Sequence, residues 1–398
     1  MVDDLHFRTA SHPFPVGTEY YRAPMPPQKF WQEDFAAIRE SGMRIIRTFS
    51  YWNWIEPASG KFELDDFDRF FDLAAENGLL VWFDLTLATH GSCPEWLLRE
   101  YPDIHQVRPD GVRVHPSSSN ASPQGKQIHC YDHPKWREFG ERLLSTVVRR
   151  YRDHEALLIW GVWDGANFPR TDGQVVPCYC ANTLAKYADW LEQRYTLETL
   201  NERLHRRYRC WEDVVPARSS RNILEMLLYR QFHIENLVET LRWQIHVIRD
   251  IDDKHELRSH GAHFPRPFDE ACSTEVDSWG ISMPSNELLT GDDPHKIAER
   301  CLSFDWSRSI GRGGRWWNEE IYAGMSPAGV TWKTQSHPAE VAMLLWMSLA
   351  YGAAGAMFWQ YTPEYLSFEA PGYSLTAPDR GPTSRLHAVR EAIDCIDR

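Results

Sequence analysis

The stretch Leu157–Asn167, LLIWGVWDGAN, decides the fold, because it has the pattern of a β-strand that ends in a turn. Apolar and aromatic residues run up to Asp164, and Gly165 then interrupts the run. A second segment, Arg315–Gly324 (RWWNEEIYAG), repeats the pattern, with two consecutive glutamates towards its end. The chain therefore places carboxylates at the ends of two separate predicted strands.

Strand-like and helix-like segments alternate along the whole chain. The strand candidates are Val16–Tyr21, Arg44–Ser50, Leu79–Thr86, Leu157–Asp164, Glu256–His263, Val276–Met283, Gly314–Ile321 and Ala356–Tyr361. The amphipathic helix candidates are Gln28–Ser41, Leu64–Asn77, Pro134–Arg152, Asn182–Tyr208 with Asn222–Asp252, Pro294–Trp306, Pro338–Tyr351 and Ser384–Ile396. Eight strands that alternate with helices predict an α/β fold, a closed (β/α)8 TIM barrel. No low-complexity linker divides the chain, so residues 1–398 are predicted to form one domain.

Two long loops interrupt this repeat, one after strand three and one after strand four. Pro94–Tyr131 is rich in Ser, Pro, Gly and His. A loop of this length after a barrel strand is expected to shape the rim of the active site. Phe168–Ser220 is predicted to be a structural insertion that packs on the side of the barrel rather than a part of the catalytic apparatus.

Charge and hydropathy exclude several classes of partner. The formal net charge of −13 argues against nucleic acid or an anionic membrane as the ligand. No apolar run is long enough to span a bilayer, and the N-terminal residues lack the apolar core of a signal peptide. Eight cysteines without disulfide-like spacing favour a reducing, cytoplasmic location. A secreted mature form whose signal peptide was removed stays open.

Aromatic residues make up 13% of the chain, with 18 Trp, 16 Tyr and 18 Phe. Two interpretations have equal weight: a large aromatic core, or stacking of indole and phenol rings on the C–H faces of sugar rings. Many of these residues crowd the predicted strand ends: Tyr51, Trp52, Trp54, Trp163, Trp316, Trp317, Trp359 and Tyr361. Among them, Tyr51 and Trp163 are candidate sugar contacts.

Polar side chains at the strand ends predict the chemistry, because active sites of such barrels lie at the carboxyl ends of the strands. We call these side chains the polar ring; its members are Glu19, Arg47, Tyr51, Asp84, Asp164, His260, His263, Ser282, Asn318, Glu319, Glu320 and Gln360. Retaining glycosidases need a proton donor and a nucleophilic carboxylate about 5.5 Å apart, and two strand ends can supply them. Arg47 would keep a nearby nucleophile ionised. The two histidines are expected to contact a substrate hydroxyl or anchor a loop rather than bind metal.

Six segments in the same order resemble the catalytic domain of glycoside hydrolase family 42, the β-galactosidase family. They are Trp31–Pro57, Gly60–Asp68, Pro94–Pro102, His154–Trp160, Trp317–Gly324 and Leu349–Trp359. The resemblance implies a retaining exo-glycosidase whose nucleophile precedes a glycine by four residues. Glu320 matches that nucleophile, with Gly324 as the glycine. Glu319 is then expected to point away from the cavity, since side chains alternate along a strand.

Strand four departs from the family pattern Trp-Gln-x-x-Asn-Glu, in which the Glu is the general acid/base. Asp164 stands at the Asn position and Gly165 at the Glu position. Three explanations compete: an engineered knockout, a divergent member in which Asp164 is the proton donor, or an inactive barrel that only binds sugar. The first two are favoured because Glu320 is retained. Asp164 has a second interpretation, as a contact to the substrate 2-hydroxyl.

The sugar-recognition positions of the family are only partly kept. Arg47, Trp332 and Glu369 match residues that line the galactose site in the family, whereas Met283 and Gly372 replace its Tyr and His. These replacements put galactose in question, and they leave open a different β-linked sugar or a pocket shaped by the Pro94–Tyr131 loop. The resemblance thus implies hydrolysis of terminal β-linked sugars from an oligosaccharide or glycoside by double displacement, and the alternative is a catalytically inactive carbohydrate-binding barrel.

The family also implies a structural zinc and further domains. Cys130, Cys178 and Cys180 match three of its four zinc-binding cysteines, but Thr183 stands at the fourth position. Zinc prefers four tetrahedral ligands in structural sites. A nearby His or Asp could supply the fourth ligand, but loss of the metal is expected, and no other cofactor is implied. The trimerisation domain and β domain of the family have no counterpart in these 398 residues. A homo-oligomer of another kind stays open.

Overall fold

A computed structural model describes most of the chain. The described residues are 14–87, 93–114, 129–166, 170–171, 174–175, 177–219, 222–261, 266–285, 288–289, 293, 295–311, 315–324, 335–366, 369–370 and 372–398. The candidate sugar-contacting Trp332, His263 of the predicted polar ring and residues 115–128 of the predicted rim loop lie outside this set.

Eight parallel strands close into a barrel, which confirms the predicted (β/α)8 TIM fold. The strands are β1 (Val16–Tyr21), β2 (Ile45–Phe49), β3 (Leu80–Asp84), β4 (Leu157–Trp163), β5 (Glu256–Gly261), β6 (Ser278–Pro284), β7 (Arg315–Tyr322) and β8 (Ala356–Trp359). Each strand pairs with its neighbours in chain order, and β8 returns to β1. All eight lie within the predicted segments or within one residue of them.

Helices surround the barrel. They are α1 (Trp31–Glu40), α2 (Trp52–Ile55), α3 (Asp65–Glu76), α4 (Glu95–Glu100), α5 (Pro134–Tyr151), α6 (Ala181–Glu192), α7 (Leu197–Leu204), α8 (Ile223–Arg249), α9 (Asp269–Ser273), α10 (His295–Ile310), α11 (Pro338–Ala350) and α12 (Ser384–Ile396). The predicted starts at Pro134 and Pro338 are confirmed. In both cases the preceding histidine caps the helix with its side chain.

One helix prediction was wrong, and the short helices α2, α4 and α9 were not predicted. The segment Asn182–Tyr208 is not one helix but two, because Thr196 accepts a hydrogen bond from the backbone N–H of Thr199 and starts α7 as a separate helix. No helix was predicted between β5 and β6, where the five-residue α9 lies. Such a short helix has too few turns to produce a detectable apolar period.

The loop after β4 contributes to a separate apolar cluster with the start of α8. Its members include Tyr179, Tyr187, Trp190, Leu191, Leu200, Tyr229 and Phe232. A two-residue antiparallel hairpin, Arg170–Thr171 with Gln174–Val175, precedes this cluster. The cluster gives the insertion a core of its own beside the barrel.

The amino-terminal end of the barrel interior is filled by a buried arginine between two indoles. The Cζ atom of Arg258 lies 3.8 Å from the ring centroid of Trp82 and 4.2 Å from that of Trp317. Its Nη2 donates to Oε1 of Glu256 at 2.7 Å, and its Nε donates to Ser278 Oγ at 2.9 Å. The floor below the site is thus closed by a charged pair packed in aromatic rings.

We expect Arg258→Met to lower the free energy of unfolding by about 3–5 kcal/mol, because it leaves Glu256 buried with a weakened set of partners. Arg315→Met is the matched control. Arg315 also pairs with Glu256, at 3.2 Å, but a third of its side chain is exposed. Its loss should be below about 1 kcal/mol. Urea unfolding of both variants measures the difference, and equal losses would contradict the assigned role of the buried pair.

Candidate active site

The carboxyl ends of the strands bring most of the predicted polar ring together. Each contributes at least one buried polar side chain: Glu19 from β1, Arg47 from β2, Asp84 from β3, Asp164 after β4, His260 from β5, Ser282 from β6, Glu319 and Glu320 from β7, and Gln360 after β8. Asn318 instead donates a hydrogen bond to Ser348 Oγ on α11, at 2.8 Å.

Arg47 is the centre of this ring, and its guanidinium contacts four carboxylates. Nε lies 2.6 Å from Asp84 Oδ2. Nη2 lies 3.1 Å from Asp164 Oδ1 and 3.0 Å from Glu319 Oε1. Nη1 donates to Glu320 Oε1 at 3.2 Å. Since the Arg47 side chain is wholly buried, these ion pairs are little screened by solvent.

The expectation that Glu319 points away from the cavity is wrong. Ile281 of β6 pairs with Asn318 of β7. The next residue of β6, Ser282, pairs with Glu320, so Glu319 is an additional residue in β7. The pairing of β7 with β8 slips at the same place. This β-bulge breaks the alternation of side chains, and both glutamates face the barrel interior.

A glycine on the neighbouring strand makes room for the inward side chain of Glu319. A Cβ atom on Gly280 would lie 1.7 Å from Glu319 Oε2, so any other residue there would displace the carboxylate. The sequence motif SWGISMP contains this glycine, but the sequence alone does not indicate which side chain approaches it.

His260 links the carboxylates on the other side of the ring. Its Nδ1 lies 2.9 Å from both Glu319 Oε1 and Asp164 Oδ1, and its Nε2 lies 3.7 Å from Glu320 Oε1. Burial lowers the pKa of this imidazole, but the nearby carboxylates, led by Glu319, outweigh burial and raise the pKa well above its usual value. His260 is therefore a second cation of the ring at neutral pH.

Glu320 has the surroundings of an activated carboxylate. Ser282 Oγ donates to its Oε2 at 2.7 Å, and the Tyr322 hydroxyl donates to the same oxygen at 3.3 Å. Burial raises the pKa of Tyr322 far above its ordinary value, so the phenol stays a donor. The Glu320 side chain is 8% exposed, more than the other three carboxylates on Arg47. Of the four, it is the one best able to reach a substrate.

Asp164 and Gly165 form the turn that ends β4. Gly165 has a φ of +60°, a left-handed conformation that favours glycine, and a Cβ atom built there would meet no atom of the described residues within 4 Å. No described side chain therefore fills the position that the family resemblance gives to the acid/base. Asp164 Oδ1 accepts hydrogen bonds from Arg47 and His260, and both of these residues also contact Glu320.

A second charged cluster, missed in the sequence, surrounds Arg22. Its Nη1 lies 2.7 Å from Glu364 Oε2 and 2.6 Å from Glu369 Oε2. Its Nε donates to the Tyr51 hydroxyl at 3.0 Å, and its guanidinium lies 4.8 Å from the centroid of the Trp359 ring. Arg22 directly follows β1, so the rule that assigns function to strand ends could have found it.

Glu19 lies within electrostatic range of both Arg22 and Arg47. Burial raises the pKa of its carboxyl well above the usual value, and Glu364 adds to the shift. Neither oxygen of Glu19 has a hydrogen-bond partner within the described part of the chain. Burial therefore disfavours the ionised form of Glu19, although two arginines lie nearby.

The two aromatic candidates for sugar contact are buried. Tyr51 is 1% exposed and supports Arg22 through its hydroxyl. Trp163 is 2% exposed and packs edge-on against Tyr131, with the ring centroids 6.0 Å apart. Glu369 remains partly exposed, at 16% of its side chain. Of these three predicted contacts, Glu369 is the most accessible to a ligand.

The three predicted zinc-binding cysteines meet beside the barrel. Cys130 Sγ and Cys180 Sγ are 3.5 Å apart, and Cys178 completes the group. The Thr183 hydroxyl takes the fourth corner, 3.2 Å from Cys130 Sγ, and donates to Asp132 Oδ2 at 2.7 Å. The three thiols would hold a zinc ion, but a neutral hydroxyl is a poor fourth ligand, so the residues fit a tetrahedral site incompletely.

We expect Thr183→Cys to raise the zinc content of the purified protein from well below one ion to about one ion per chain, because it completes a set of four cysteine ligands. Elemental analysis after desalting measures it. The double variant Thr183→Cys/Cys178→Ser, which again offers three thiols, is the control. One tightly held zinc per wild-type chain would contradict the expected loss of the metal.

Comparison with known proteins identifies the family of the chain. The family model of glycoside hydrolase family 42, described as "Beta-galactosidase", matches residues 20–398. The chain is 24% identical over 351 residues to beta-galactosidase bgaB of Geobacillus kaustophilus, covering 84% of this chain and 48% of that protein. It is 26% identical over 397 residues to a beta-galactosidase of Thermus thermophilus, covering 92% and 58%. The chain thus spans about half the length of the curated relatives it matches.

Solved structures share the fold. The beta-galactosidase of Halorubrum lacusprofundi superposes with a TM-score of 0.82 at 21% identity, over 96% of this chain and 58% of that chain. The cold-adapted beta-galactosidase of Rahnella sp. R3 gives 0.84 at 18% identity, over 97% and 56%. Among the helices that the structure describes, none is long and apolar enough to cross a membrane.

Proposed function

Because the chain belongs to glycoside hydrolase family 42, we propose that it is a retaining exo-glycosidase acting on terminal β-linked sugars by double displacement. One observation carries the proposal. The Glu320 carboxylate, at the carboxyl end of β7, accepts hydrogen bonds from Arg47, Ser282 and Tyr322 and is the most exposed carboxylate around Arg47. This is the environment of a nucleophile that must stay ionised and keep a fixed orientation.

In the first step, a Glu320 oxygen forms a bond to the anomeric carbon while the bond to the aglycone oxygen breaks. Arg47 Nη1, 3.2 Å away, and His260 Nε2, 3.7 Å away, face the Glu320 carboxylate and hold its orientation before attack. The leaving oxygen needs a proton unless it departs as a stable anion. In the second step, water or another acceptor attacks the anomeric carbon and releases Glu320.

Because Gly165 has no side chain to act as acid/base, full activity depends on another proton donor or on a leaving group that needs no proton. A glycine cannot transfer a proton, so glycosides with alkoxide leaving groups are expected to react slowly. The left-handed backbone at Gly165 supports a divergent member over a simple knockout, because glutamate would be strained in that conformation. Asp164 is the alternative proton donor, but the hydrogen bonds from Arg47 and His260 favour a role as a contact to the substrate.

A catalytically inactive carbohydrate-binding barrel is the second candidate. The glycine at the acid/base position favours this candidate, since Gly165 has no side chain that can protonate the leaving oxygen. The two candidates differ in what Glu320 does: in a glycosidase it becomes covalently glycosylated, and in a binding barrel it remains a hydrogen-bond acceptor.

Azide rescue separates these candidates. A 4-nitrophenyl β-glycoside needs little protonation, so we expect it to glycosylate Glu320 with a burst of nitrophenol and a slow second step. Azide needs no general base, and it should raise turnover and yield a β-glycosyl azide with retained configuration. Release of no nitrophenol from any aryl β-glycoside, together with measurable sugar binding, would favour the binding barrel. Rapid cleavage of disaccharides without azide would show that another residue protonates the leaving oxygen.

A further inference from the structure

Ser282 lies between the candidate nucleophile and a buried histidine. Its Oγ donates to Glu320 Oε2 at 2.7 Å and lies 3.3 Å from His260 Nε2. At the other edge of the imidazole, His260 Nδ1 lies 2.9 Å from both Glu319 Oε1 and Asp164 Oδ1. All of these side chains are buried, so solvent competes little for the hydrogen bonds. We call this chain of contacts, from the two carboxylates through His260 and Ser282 to Glu320, the relay.

The register of three strands places the members of the relay. His260 of β5 pairs with Gly280 of β6, so Ser282, two residues further along β6, faces the same side of the sheet. Because of the β-bulge in β7, Ser282 pairs with Glu320 rather than with Glu319. A Cβ atom on Gly280 would lie 2.9 Å from His260 Cβ and 1.7 Å from Glu319 Oε2, so this glycine leaves room for both side chains. The relay is therefore held by strands rather than by loops.

The number of protons determines the direction of each hydrogen bond in the relay. Carboxylate oxygens accept hydrogen bonds, so His260 Nδ1, which faces two of them, keeps its proton, and Nε2 is the nitrogen that titrates. Ser282 has one hydroxyl proton and can donate it to one partner at a time. While Nε2 carries a proton, it donates to Ser282, and Ser282 donates to Glu320. When Nε2 has lost its proton, it becomes an acceptor that competes with Glu320 for the Ser282 hydroxyl.

We propose that His260 is a positioning residue that acts on the nucleophile through Ser282: the doubly protonated imidazole directs the Ser282 hydroxyl to Glu320, and the neutral imidazole withdraws it. This inference rests on the proposed function, because that function gives Glu320 the role of nucleophile. It deepens the function by assigning two further residues to the control of the attacking carboxylate.

The hydrogen bond from Ser282 matters because it fixes one of the two oxygens of Glu320. Arg47 Nη1 donates to Oε1 at 3.2 Å, and Ser282 Oγ donates to Oε2 at 2.7 Å. The Tyr322 hydroxyl also donates to Oε2, but at the longer distance of 3.3 Å. Without Ser282 the carboxylate can rotate more freely, and a smaller fraction of molecules has the geometry for attack. We expect the first chemical step to become about tenfold slower.

Charged groups from several elements face His260 within the described part of the chain. They are Asp164 after β4, Glu319 and Glu320 on β7, Arg47 on β2, which contacts the same carboxylates, and Asp269 on α9 with its partner Arg266. Burial lowers the pKa of His260, but the carboxylates, led by Glu319, raise it well above its usual value. The doubly protonated imidazole therefore persists through neutral pH, and the Ser282–Glu320 hydrogen bond is lost as the pH rises through the raised pKa.

The rate of the first step as a function of pH tests the relay. A 2,4-dinitrophenyl β-galactoside or β-glucoside needs no proton donor, so the rate constant of its burst reports the attack by Glu320 alone. We expect this rate constant to fall about tenfold on the alkaline side, with the pKa that NMR of the labelled imidazole gives for His260 in the same protein. A burst rate constant that does not change between about pH 6 and pH 10 would overturn the proposal.

Three variants separate the relay from a direct effect of the His260 charge, since His260 Nε2 also lies 3.7 Å from Glu320 Oε1. Ser282→Ala keeps the charge and removes the relay, so the burst should be about tenfold slower at neutral pH and nearly independent of pH. His260→Gln keeps an amide donor that does not titrate and should also abolish the alkaline fall. Tyr322→Phe is the matched control, because it removes another donor to Oε2 and should retain the fall.

Ser282→Ala decides between the two explanations, because it deletes a single oxygen atom and does not depend on whether His260→Gln folds. If Ser282→Ala retained the full alkaline fall while His260→Gln abolished it, the charge of His260 would act directly on Glu320. That result would overturn the relay.

An NMR measurement without turnover keeps the relay distinguishable from the proposed function. The carboxyl carbon of Glu320, labelled with ¹³C and assigned with Glu320→Gln, should change its chemical shift at the pKa of His260, and Ser282→Ala should reduce this change by at least half. That result without turnover of any aryl glycoside would overturn the glycosidase function and retain the relay. Turnover together with an undiminished change in Ser282→Ala would retain the function and overturn the relay.

Discussion

Glu320→Ala should lose at least about 10⁴-fold in kcat on 4-nitrophenyl β-glycosides, because removal of a covalent nucleophile eliminates the first chemical step. The smaller side chain opens a cavity below the anomeric carbon. A small anion placed there should therefore attack from the nucleophile's side and give an α-glycosyl azide. The wild-type chain should give the β-azide, so the configuration of the product, determined by NMR, identifies the role of Glu320.

Glu319→Gln is the matched control, because Glu319 is the neighbouring glutamate and contacts the same Arg47 and His260. Its side chain is only 2% exposed and points into the barrel interior. We expect a loss below about 100-fold through altered positioning, with the β-azide still formed. If Glu319→Gln abolished turnover while Glu320→Ala retained it, the assignment of the two glutamates would be reversed.

Gly165→Glu should increase kcat/KM on a disaccharide of the accepted sugar by about 10²- to 10⁴-fold, the usual contribution of a general acid/base. The gain on an aryl glycoside should be much smaller in the first step, since its leaving group needs little protonation. Within the described part of the chain, a Cβ atom at Gly165 meets nothing within 4 Å. The left-handed backbone should cost about 1–2 kcal/mol of stability, which a thermal melt would show.

Gly165→Gln has nearly the same shape and no transferable proton, and it is the control for this gain. It should show the same loss of stability without any gain on the disaccharide. If the glutamate variant cleaved the disaccharide no faster than the glutamine variant, position 165 would not be the acid/base position. Asp164 would then be the next residue to test.

The alternation of strand-like and helix-like segments was sufficient to predict the barrel, because the repeated order of the two elements is typical of a (β/α)8 fold even where one strand, such as β5 (ELRSHG), is mostly polar. The exceptions are local. The split of the Asn182–Tyr208 segment depends on the side-chain cap at Thr196, and α9 is too short to have a period. A single hydrogen bond decides the split, and a single turn makes up most of α9. A periodicity averaged over many residues detects neither.

The site was predicted less well than the fold, for physical reasons. Strand ends predicted that Arg47, Asp164 and Glu320 would meet, and the structure brings them together. The orientation of Glu319 could not be predicted, because a β-bulge is a property of two neighbouring strands rather than of one sequence. Arg22 lies one residue beyond the predicted strand end, and nothing in the sequence pairs it with Glu364 and Glu369, which are more than 340 residues away in the chain.

The bridging of Glu320, Asp164 and Glu319 by Arg47 and His260 has a consequence for the reaction cycle. Esterification of Glu320 removes one of the negative charges that raise the pKa of His260. The pKa of His260 should therefore be lower in the glycosyl-enzyme than in the free protein, and the imidazolium becomes a stronger acid as the intermediate forms. NMR titration of His260 before and after trapping with a 2-fluoro glycoside measures this shift. The protonation state of His260 would therefore depend on whether Glu320 is glycosylated, and the two steps of the reaction would have different pH profiles.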